Sequence, residues 1–324
     1  MKHPFHWIAV GLFCSLLAPV SSAQAQEFPS RAVRLIVPYA PGGSADITAR
    51  LIGDEWSKQL GQPIVIENRA GAGGNIGVDA VAKSAPDGYT IGLHTVSLAI
   101  NPAIFPSMPF DTLKDLAPIG TVASSQHVLA VNPSVKADSV KSLIALAKAN
   151  PGHLTYGSAG AGSTFHMSAE LFKALADVDI LHVPYRGGGP AMVDTIAGQV
   201  DMSFPVLSAA LPHIQAGTLR ALGVTGPQRS SLLPDVPYIA EAGVPDYSFE
   251  TWFMTFAPAG TPEPAIETLN RTLNAALTSD ALRKRMVEQG FDPLPSTAAQ
   301  ARERLETELP AWSRLVQERG IKIE

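Results

Sequence analysis

The chain has 324 residues and a formal net charge of −5 at pH 7, with 16% charged residues against roughly 25% in an average soluble domain. This mild acidity, without any cluster of basic residues, argues against nucleic-acid binding. The length predicts about two domains with substantial hydrophobic cores.

The first 25 residues have the pattern of a secretory signal peptide. Lys2 precedes the apolar run Trp7–Val20, and Ala23-Gln24-Ala25 matches the small-x-small cleavage pattern. We therefore predict a secreted mature protein that begins at Gln26; the alternative is an uncleaved membrane anchor. Cleavage would remove Cys14, the only cysteine, so the mature chain would have no disulfide, no thiolate metal site and no cysteine nucleophile.

Strand and helix patterns alternate along the rest of the chain, which predicts an α/β fold with mainly parallel sheets. Strands are predicted near 34–37, 62–67, 89–93, 121–131, 154–157, 180–183, 200–204, 219–225 and 249–257, with helices between most of them. Three helical segments are predicted at the end of the chain, at 263–278, 280–289 and 297–319. The uncharged stretch 88–110 contains several prolines and hydroxyl residues, so it is interpreted as loop and buried strand and not as a membrane span.

The sequence PYAPGGSADITAR at residues 38–50 places a glycine turn between a strand and a helix. Ser44 is expected to cap that helix, which runs to about Leu60, and Asp46 lies in its first turn. Free backbone N–H groups and the helix dipole then form an anion site at the carboxyl end of a strand. Gly43 is expected to tolerate no side chain there. The alternative is an ordinary strand-to-helix connection that merely needs glycine.

A second glycine loop, SAGAGSTFH, spans residues 158–166. Ser158, Ser163 and Thr164 supply hydroxyl donors beside the free N–H groups of a helix that is predicted to start near Gly162, a combination that suits a small carboxylate. Ser163 could instead be a simple helix cap. Tyr185 and Arg186 end another strand and could reach the same region.

Arg186 is interpreted either as a carboxylate clamp or as a surface charge.

Motifs for catalysis are incomplete. Tyr156 stands where a nucleophile elbow needs glycine, and Ile76 stands where a dinucleotide fingerprint needs its third glycine. His166 and Glu170 are four apart on one predicted helix, but no third metal ligand follows at a suitable spacing, so a packing or capping histidine is favoured.

Five segments resemble the Bug-type solute receptors of tripartite tricarboxylate transporters: PYAPGGSADITAR, VIENRAGAGGNIG, APDGYTIG, YGSAGAGSTFHMSAELF and HVPYRGGGPAMVDTIAGQVDM. Their order and spacing agree over essentially the whole mature chain. The resemblance implies a type II periplasmic-binding-protein fold, in which two α/β lobes are joined by two crossing strands with the ligand cleft between them. One lobe would hold residues 26–124 and 250–324 and the other residues 125–249, with crossings near Ser124–Ala130 and Phe249–Ala257.

The resemblance also implies a function: a periplasmic receptor that binds a small carboxylate and delivers it to integral-membrane permease subunits. We expect a monomer without cofactor, metal or catalytic residues. The alternatives are a ligand sensor for a membrane kinase and a secreted hydrolase. The predicted ligand-binding residues are Tyr39, Ala40, Gly42, Gly43, Ser44, Asp46, Thr95, Ser97, Ser158, Ala159, Gly160, Gly162, Ser163, Thr164, His166, Tyr185, Arg186 and Phe204. The neutral segments His94–Asn101 and Phe204–Ala209 are interpreted as loops that set the depth of the cleft and favour a ligand with an apolar body.

Overall fold

The computed structural model describes residues 28–321, except for the side chain of Arg319. The predicted signal peptide, its cleavage site and Cys14 lie outside the described residues. The strands are β1 (Val33–Val37), β2 (Ile64–Asn68), β3 (Thr90–Thr95), β4 (Leu116–Gln126), β5 (Val128–Val131), β6 (Thr155–Ser158), β7 (Leu181–Pro184), β8 (Met202–Ser203), β9 (Arg220–Val224), β10 (Glu250–Pro258) and β11 (Asp292–Pro293). The helices are α1 (Ser44–Leu60), α2 (Asn75–Ala82), α3 (Ser97–Ile104), α4 (Val140–Ala149), α5 (Thr164–Ala176), α6 (Gly188–Ile196), α7 (Leu207–Gln215), α8 (Glu263–Leu277), α9 (Asp280–Glu288) and α10 (Ala298–Arg319). Within residues 28–321, no helix is both long and apolar enough to cross a membrane.

The strands form two sheets, one for each lobe. The six-stranded sheet has the order β11-β4-β10-β3-β1-β2, and the five-stranded sheet has the order β7-β6-β8-β5-β9. The pairs β1–β2, β1–β3, β6–β7 and β6–β8 are parallel, whereas β10 and β5 run antiparallel to both of their neighbours. The prediction of mainly parallel sheets is therefore wrong: each sheet is mixed, because strands that carry the chain between the lobes run against the strands beside them.

Helices cover both faces of the six-stranded sheet, so β1 is buried on each side. Leu35 packs in a cluster with Trp56 of α1, whereas Ile36 on the opposite face packs in a cluster with Val78 of α2. Successive side chains of a strand point to opposite faces, which explains the uninterrupted apolar run in this strand. The Trp56 indole N–H donates to Thr272 Oγ1 at 3.1 Å, which fixes α1 against α8. The loop after β1 is thus held between two rigid elements.

The chain leaves the six-stranded sheet after Gln126 and returns to it at Glu250. Thr225 ties these two crossing segments together. Its Oγ1 accepts a hydrogen bond from the His127 N–H at 2.7 Å and donates one to the Phe249 carbonyl oxygen at 2.6 Å. The Phe249 N–H in turn donates to the Thr225 carbonyl oxygen at 2.8 Å. The lobe ranges proposed from the sequence remain a prediction; the two sheets are the observation.

Two segments that were predicted as loops contain helices. The segment His94–Asn101 ends β3 and begins α3, and Phe204–Ala209 leads into α7. Pro102 lies inside α3 and cannot donate to the carbonyl of Leu98 four residues earlier, which is why the sequence argued against a helix. The hydroxyl of Thr112 donates to that carbonyl at 3.3 Å instead, so a distant residue satisfies the group that proline leaves open.

Candidate functional site

A narrow cavity lies between the two lobes at the carboxyl ends of β1 and β6. Its lining comes from both lobes and consists of Tyr39, Gly43, Ser44, Ala45, Thr95, Ala159, Ser163, Thr164, Phe165 and Gly188. The cavity volume is only about 20 Å³, so the space between the lobes is narrow in this arrangement.

The N-terminus of α1 opens onto this cavity without a side-chain cap. Gly43, and not Ser44 as predicted, is the N-cap residue, and no side chain bonds to this helix end. The first N–H groups of a helix have no partner within it, and those of Ser44 and Ala45 have none among the described residues. These two residues therefore present free donors to the cavity, which agrees with the anion site predicted for this loop.

Two further helices begin at the cavity, both in the other lobe. The Ser163 hydroxyl caps α5 by accepting the His166 N–H at 3.3 Å, which leaves the N–H groups of Thr164 and Phe165 without partners among the described residues. Gly187 precedes α6, which has no side-chain cap, and Gly188 at its start lines the cavity. Three helix N-termini from two lobes thus converge on one small space.

The electrostatics of the cavity come from dipoles and not from charged side chains. None of its lining residues is Lys, Arg, Asp or Glu. Each helix N-terminus carries a partial positive charge, and these act strongly in a site from which water is largely excluded. The arrangement suits a carboxylate.

Larger cavities of about 480 and 650 Å³ occur elsewhere along the lobe boundary. We assign the site to the smaller cavity because helix N-termini from both lobes meet in it.

Asp46 supports the first loop from behind and does not line the cavity. Its Oδ2 accepts the Gly42 N–H at 3.1 Å and the Arg50 Nε–H at 3.0 Å. Asn68 Nδ2 donates to Asp46 Oδ1 at 3.1 Å and to the Tyr39 carbonyl oxygen at 2.9 Å. Burial opposes ionisation of Asp46, but the hydrogen bonds from Arg50, Gly42 and Asn68 outweigh it and lower its pKa. The carboxylate therefore shapes the loop.

The second loop differs from its prediction, because its glycine N–H groups are already used within the lobe. The Gly160 N–H donates to Ser158 Oγ at 3.1 Å, and the Gly162 N–H donates to His166 Nδ1 at 3.2 Å. Ser158 Oγ also hydrogen-bonds with His182 Nε2 at 2.6 Å. Ser158 and His166 are buried and do not line the cavity. The free donors of this loop are thus the N–H group of Ala159, which lines the cavity, and the donors of residues 163–165.

Tyr39 closes one wall of the cavity. Its hydroxyl donates to the Gly73 carbonyl oxygen at 3.2 Å, and its ring meets the buried His94 edge-on at 5.4 Å. Burial raises the pKa of Tyr39 to about 12, against a smaller lowering by the nearby Ser97 and Thr95 hydroxyls. Ser97 Oγ is buried and forms no hydrogen bond with any described residue. Of the two predicted hydroxyls, Thr95 lines the cavity, whereas Ser97 is buried and does not line it.

Other predicted residues lie around the cavity without lining it. The Arg186 side chain is exposed. The backbone carbonyl oxygen of Arg186 accepts the Ala40 N–H at 3.2 Å across the lobe boundary. The Tyr185 hydroxyl donates to Asp194 Oδ2 at 2.7 Å at the mouth of the cleft. Phe204 is fully buried and packs on Phe172 with ring centroids 5.6 Å apart. The surface-charge alternative for Arg186 fits this placement.

Gly42 and Gly43 approach the other lobe closely. Gly42 has a left-handed φ of +82° and a Cβ there would lie 3.9 Å from Gly189 Cα. Gly43 has an ordinary φ of −84°, and its Cβ would lie 3.5 Å from the Gly188 nitrogen, a normal contact. A strained φ is therefore no reason for glycine at position 43, and only the volume of a larger side chain would disturb the site.

The histidine and glutamate considered as metal ligands have other partners. Glu170 accepts the Tyr156 hydroxyl at 2.6 Å and forms a 2.7 Å ion pair with Lys173. Within residues 28–321, no group of three or more His, Cys, Asp or Glu side chains is placed to hold a metal ion.

Three residues that line the cavity were not predicted from the sequence: Ala45, Phe165 and Gly188. Each occupies the first or second position of its helix, so more accurate helix starts would have found them.

A protein-family model described as the tripartite tricarboxylate transporter family receptor, TctC, matches residues 48–321. The chain belongs to this family. TctC proteins are solute-binding receptors, so membership confirms the expectation of a Bug-type binding protein and not an enzyme.

Relatives and solved structures of TctC proteins agree with this assignment. Protein BugT of Bordetella pertussis is 40% identical over 317 residues, which covers 97% of each chain. A structure of an R. palustris protein with adipate is 37% identical, has a TM-score of 0.88 and covers 91% of this chain and 99% of that one. MatC of Rhodopseudomonas palustris, with bound malate, is 32% identical, with a TM-score of 0.86 and coverage of 89% and 100%. These TM-scores confirm the expected two-lobed α/β fold of periplasmic binding proteins.

Proposed function

We propose that this protein is a periplasmic receptor that captures a small carboxylate between its lobes and delivers it to a membrane permease of the tripartite tricarboxylate type. The observation that carries the proposal is the convergence of α1, α5 and α6 on one cavity that lacks charged side chains. Helix N-termini favour anions, and oriented N–H groups match carboxylate oxygens. The ligand would be gripped by the free donors of Ser44, Ala45, Thr164 and Phe165 and by nearby hydroxyls.

The site and the relatives support a dicarboxylate as the ligand. Adipate and malate, named with two similar structures, are both dicarboxylates. The apolar parts of Tyr39 and Phe165 beside the donors suit a ligand whose body carries little further charge. The remaining predicted site residues are proposed to act on the ligand indirectly, through the loops they hold.

The proposal is tested by calorimetry with adipate and malate, each compared with its neutral dimethyl ester. We expect at least one acid to bind and to raise the melting temperature, since a ligand that binds only the folded state stabilises it. The esters keep the carbon skeleton but lose the charge, so they should bind at least about tenfold more weakly. Equal binding of acid and ester would contradict an anion site.

The location and the partner need separate tests. N-terminal sequencing of exported protein should give Gln26 as the first residue, and recovery of Met1 would contradict cleavage. Deleting this gene should abolish uptake of the bound acid in cells that contain the permease. If uptake persists while expression of acid-induced genes is lost, the protein serves as a ligand sensor instead. Turnover of simple esters by purified protein would favour the hydrolase.

A further inference from the structure

Three aromatic side chains stack beneath the second loop of the carboxylate site. The ring of His182, on β7, lies parallel to that of Tyr156, on β6, with centroids 4.8 Å apart. His182 also meets His166, on α5, at 4.4 Å with the ring planes tilted by 32°, and the centroids of His166 and Tyr156 are 6.5 Å apart. His166 is buried and His182 is partly buried, and neither lines the cavity.

Each histidine of the stack holds one glycine of the loop above it. The Gly162 N–H donates directly to His166 Nδ1 at 3.2 Å. The Gly160 N–H donates at 3.1 Å to Ser158 Oγ, which is itself bonded to His182 Nε2 at 2.6 Å. Both glycines have left-handed φ values, +110° for Gly160 and +79° for Gly162, so the loop has a shape that only glycine adopts readily at these two positions.

The contacts require an uncharged His166. Its Nδ1 accepts a hydrogen bond, so the proton of the neutral ring must be on Nε2. Burial lowers the pKa of His166 to about 4 and, with a further lowering by His166, that of His182 to about 3. Lys173 and Glu170 lie beside the pair and form an ion pair with each other. Both rings are therefore neutral near pH 7 and serve as fixed hydrogen-bonding groups.

We propose that His166 and His182 are positioning residues for the ligand site: they hold the Ser158–Ser163 loop so that the free N–H groups of Thr164 and Phe165 face the cavity. The inference rests on the proposed function, since it concerns how the same carboxylate is held. Because Ser158, held by His182, takes up the Gly160 N–H and His166 takes up the Gly162 N–H, the donors left for the ligand are the Ala159 N–H and the start of α5. A residue that only fills space at these positions would need no polar atom at Nδ1 or Nε2.

Matched amide variants separate positioning from packing. An asparagine oxygen lies near the place of Nδ1 in histidine, and a glutamine amide lies near the place of Nε2. His166→Asn and His182→Gln should therefore keep the affinity for adipate or malate, measured by calorimetry, within about threefold, whereas His166→Gln and His182→Asn should each weaken it by about tenfold or more. The inference is overturned if the exchanged amides bind as tightly as the wild type, or if all four variants lose affinity equally while unfolding cooperatively.

A measurement on the wild-type protein tests the inference when a variant fails to fold. Nitrogen NMR of the imidazole rings at pH 7 should find His166 neutral, with its proton on Nε2 and an accepting Nδ1. A proton on His166 Nδ1 would overturn the inference. If the wild-type protein binds neither acid, the proposed ligand class fails, and the tautomer of His166 then decides the inference by itself.

Discussion

The backbone N–H of Ala40 donates a hydrogen bond across the lobe boundary to the carbonyl oxygen of Arg186, at 3.2 Å. The chain on either side of this bond approaches the other lobe with almost no side chains between. A Cβ added to Gly187 would lie 2.8 Å from the Ala40 nitrogen, and one added to Gly189 would lie 2.5 Å from the Pro41 carbonyl oxygen. The closed arrangement of the lobes therefore depends on glycine at this contact.

The first prediction concerns closure. Gly189→Ala should weaken binding of adipate or malate by at least about tenfold, because the new methyl group meets a backbone oxygen only when the lobes close. Alanine is also the better helix former by about 1 kcal/mol, so the isolated lobe should lose no stability. Calorimetry and thermal unfolding measure the two effects.

The control for this variant is Gly53→Ala, a glycine-to-alanine change inside α1. Its Cβ would lie 3.5 Å from the end of the Ile66 side chain, within the same lobe. It should leave affinity unchanged. Wild-type affinity in Gly189→Ala would show that binding does not require the closed lobe contact.

The second prediction separates two roles of Ser163, which caps α5 and also lines the cavity. Ser163→Ala should lower the free energy of unfolding by about 1 kcal/mol through loss of the cap. It should also weaken ligand binding by about 1 kcal/mol or more, because the hydroxyl hydrogen is free to donate to a carboxylate. Urea unfolding and calorimetry report these changes separately.

Ser139→Ala serves as the matched cap variant, since Ser139 caps α4 with a capping box far from the cavity. It should reduce stability alone. If Ser163→Ala behaves in the same way, with affinity intact, Ser163 is only a cap.

The sequence predicted the site better in the first lobe than in the second. The PGGSAD turn requires only a strand, a glycine turn and a helix, all local features, and the free N–H groups of Ser44 and Ala45 follow from them. In the second loop the same reasoning overcounted donors. Ser158 and His166 take up the glycine N–H groups, and their geometry depends on His182 from another strand.

Contacts between the lobes were not predictable from one sequence. Ala40 and Arg186 are far apart in the chain, and no local pattern pairs a glycine turn with the start of a distant helix. The helix α3 was missed for a related reason, because Thr112 satisfies the carbonyl that Pro102 leaves free. The resemblance to a known receptor family gave the two-lobed fold where periodicity gave only an α/β pattern.

The third prediction concerns acid stability. Burial lowers the pKa of His94 to about 3 and that of His127 to about 4, below the 6.5 expected for an exposed histidine. At a pH below about 6.5, the unfolded protein therefore binds more protons than the folded protein does. The free energy of unfolding is thus highest above about pH 6.5 and falls as the pH drops toward 4. Each such histidine contributes a slope of up to about 1.4 kcal/mol per pH unit. Urea unfolding at pH 7.5 and 5 measures the loss.

His94→Leu should make that loss smaller, because it removes one histidine that is protonated only in the unfolded chain. His94 Nε2 has no hydrogen-bond partner among the described residues, but Nδ1 accepts the Thr95 N–H at 2.7 Å, so the substitution is judged by the change in stability between the two pH values and not by stability at one pH. A wild-type protein that is equally stable at both pH values would contradict the assignment of neutral buried histidines.

The fourth prediction concerns the crossing segments. Thr225→Val removes the hydroxyl that bonds to the His127 N–H and the Phe249 carbonyl oxygen, and it leaves both groups buried without that partner. The expected loss in the free energy of unfolding is about 1–3 kcal/mol. Thr218→Val, which removes one exposed hydrogen bond to His213, should cost no more than about 0.5 kcal/mol. Equal effects of the two substitutions would exclude a structural role for Thr225 at the crossing.

The most direct test of the central claim is a crystal structure of the protein with adipate or malate, whichever raises the melting temperature more. The account predicts a carboxylate in the cavity between the lobes, with its oxygens about 3 Å from N–H groups of Ser44 or Ala45 in one lobe and of Thr164 or Phe165 in the other, directly or through one water. A carboxylate held by one lobe alone, or bound through the exposed Arg186 at the surface, would contradict it.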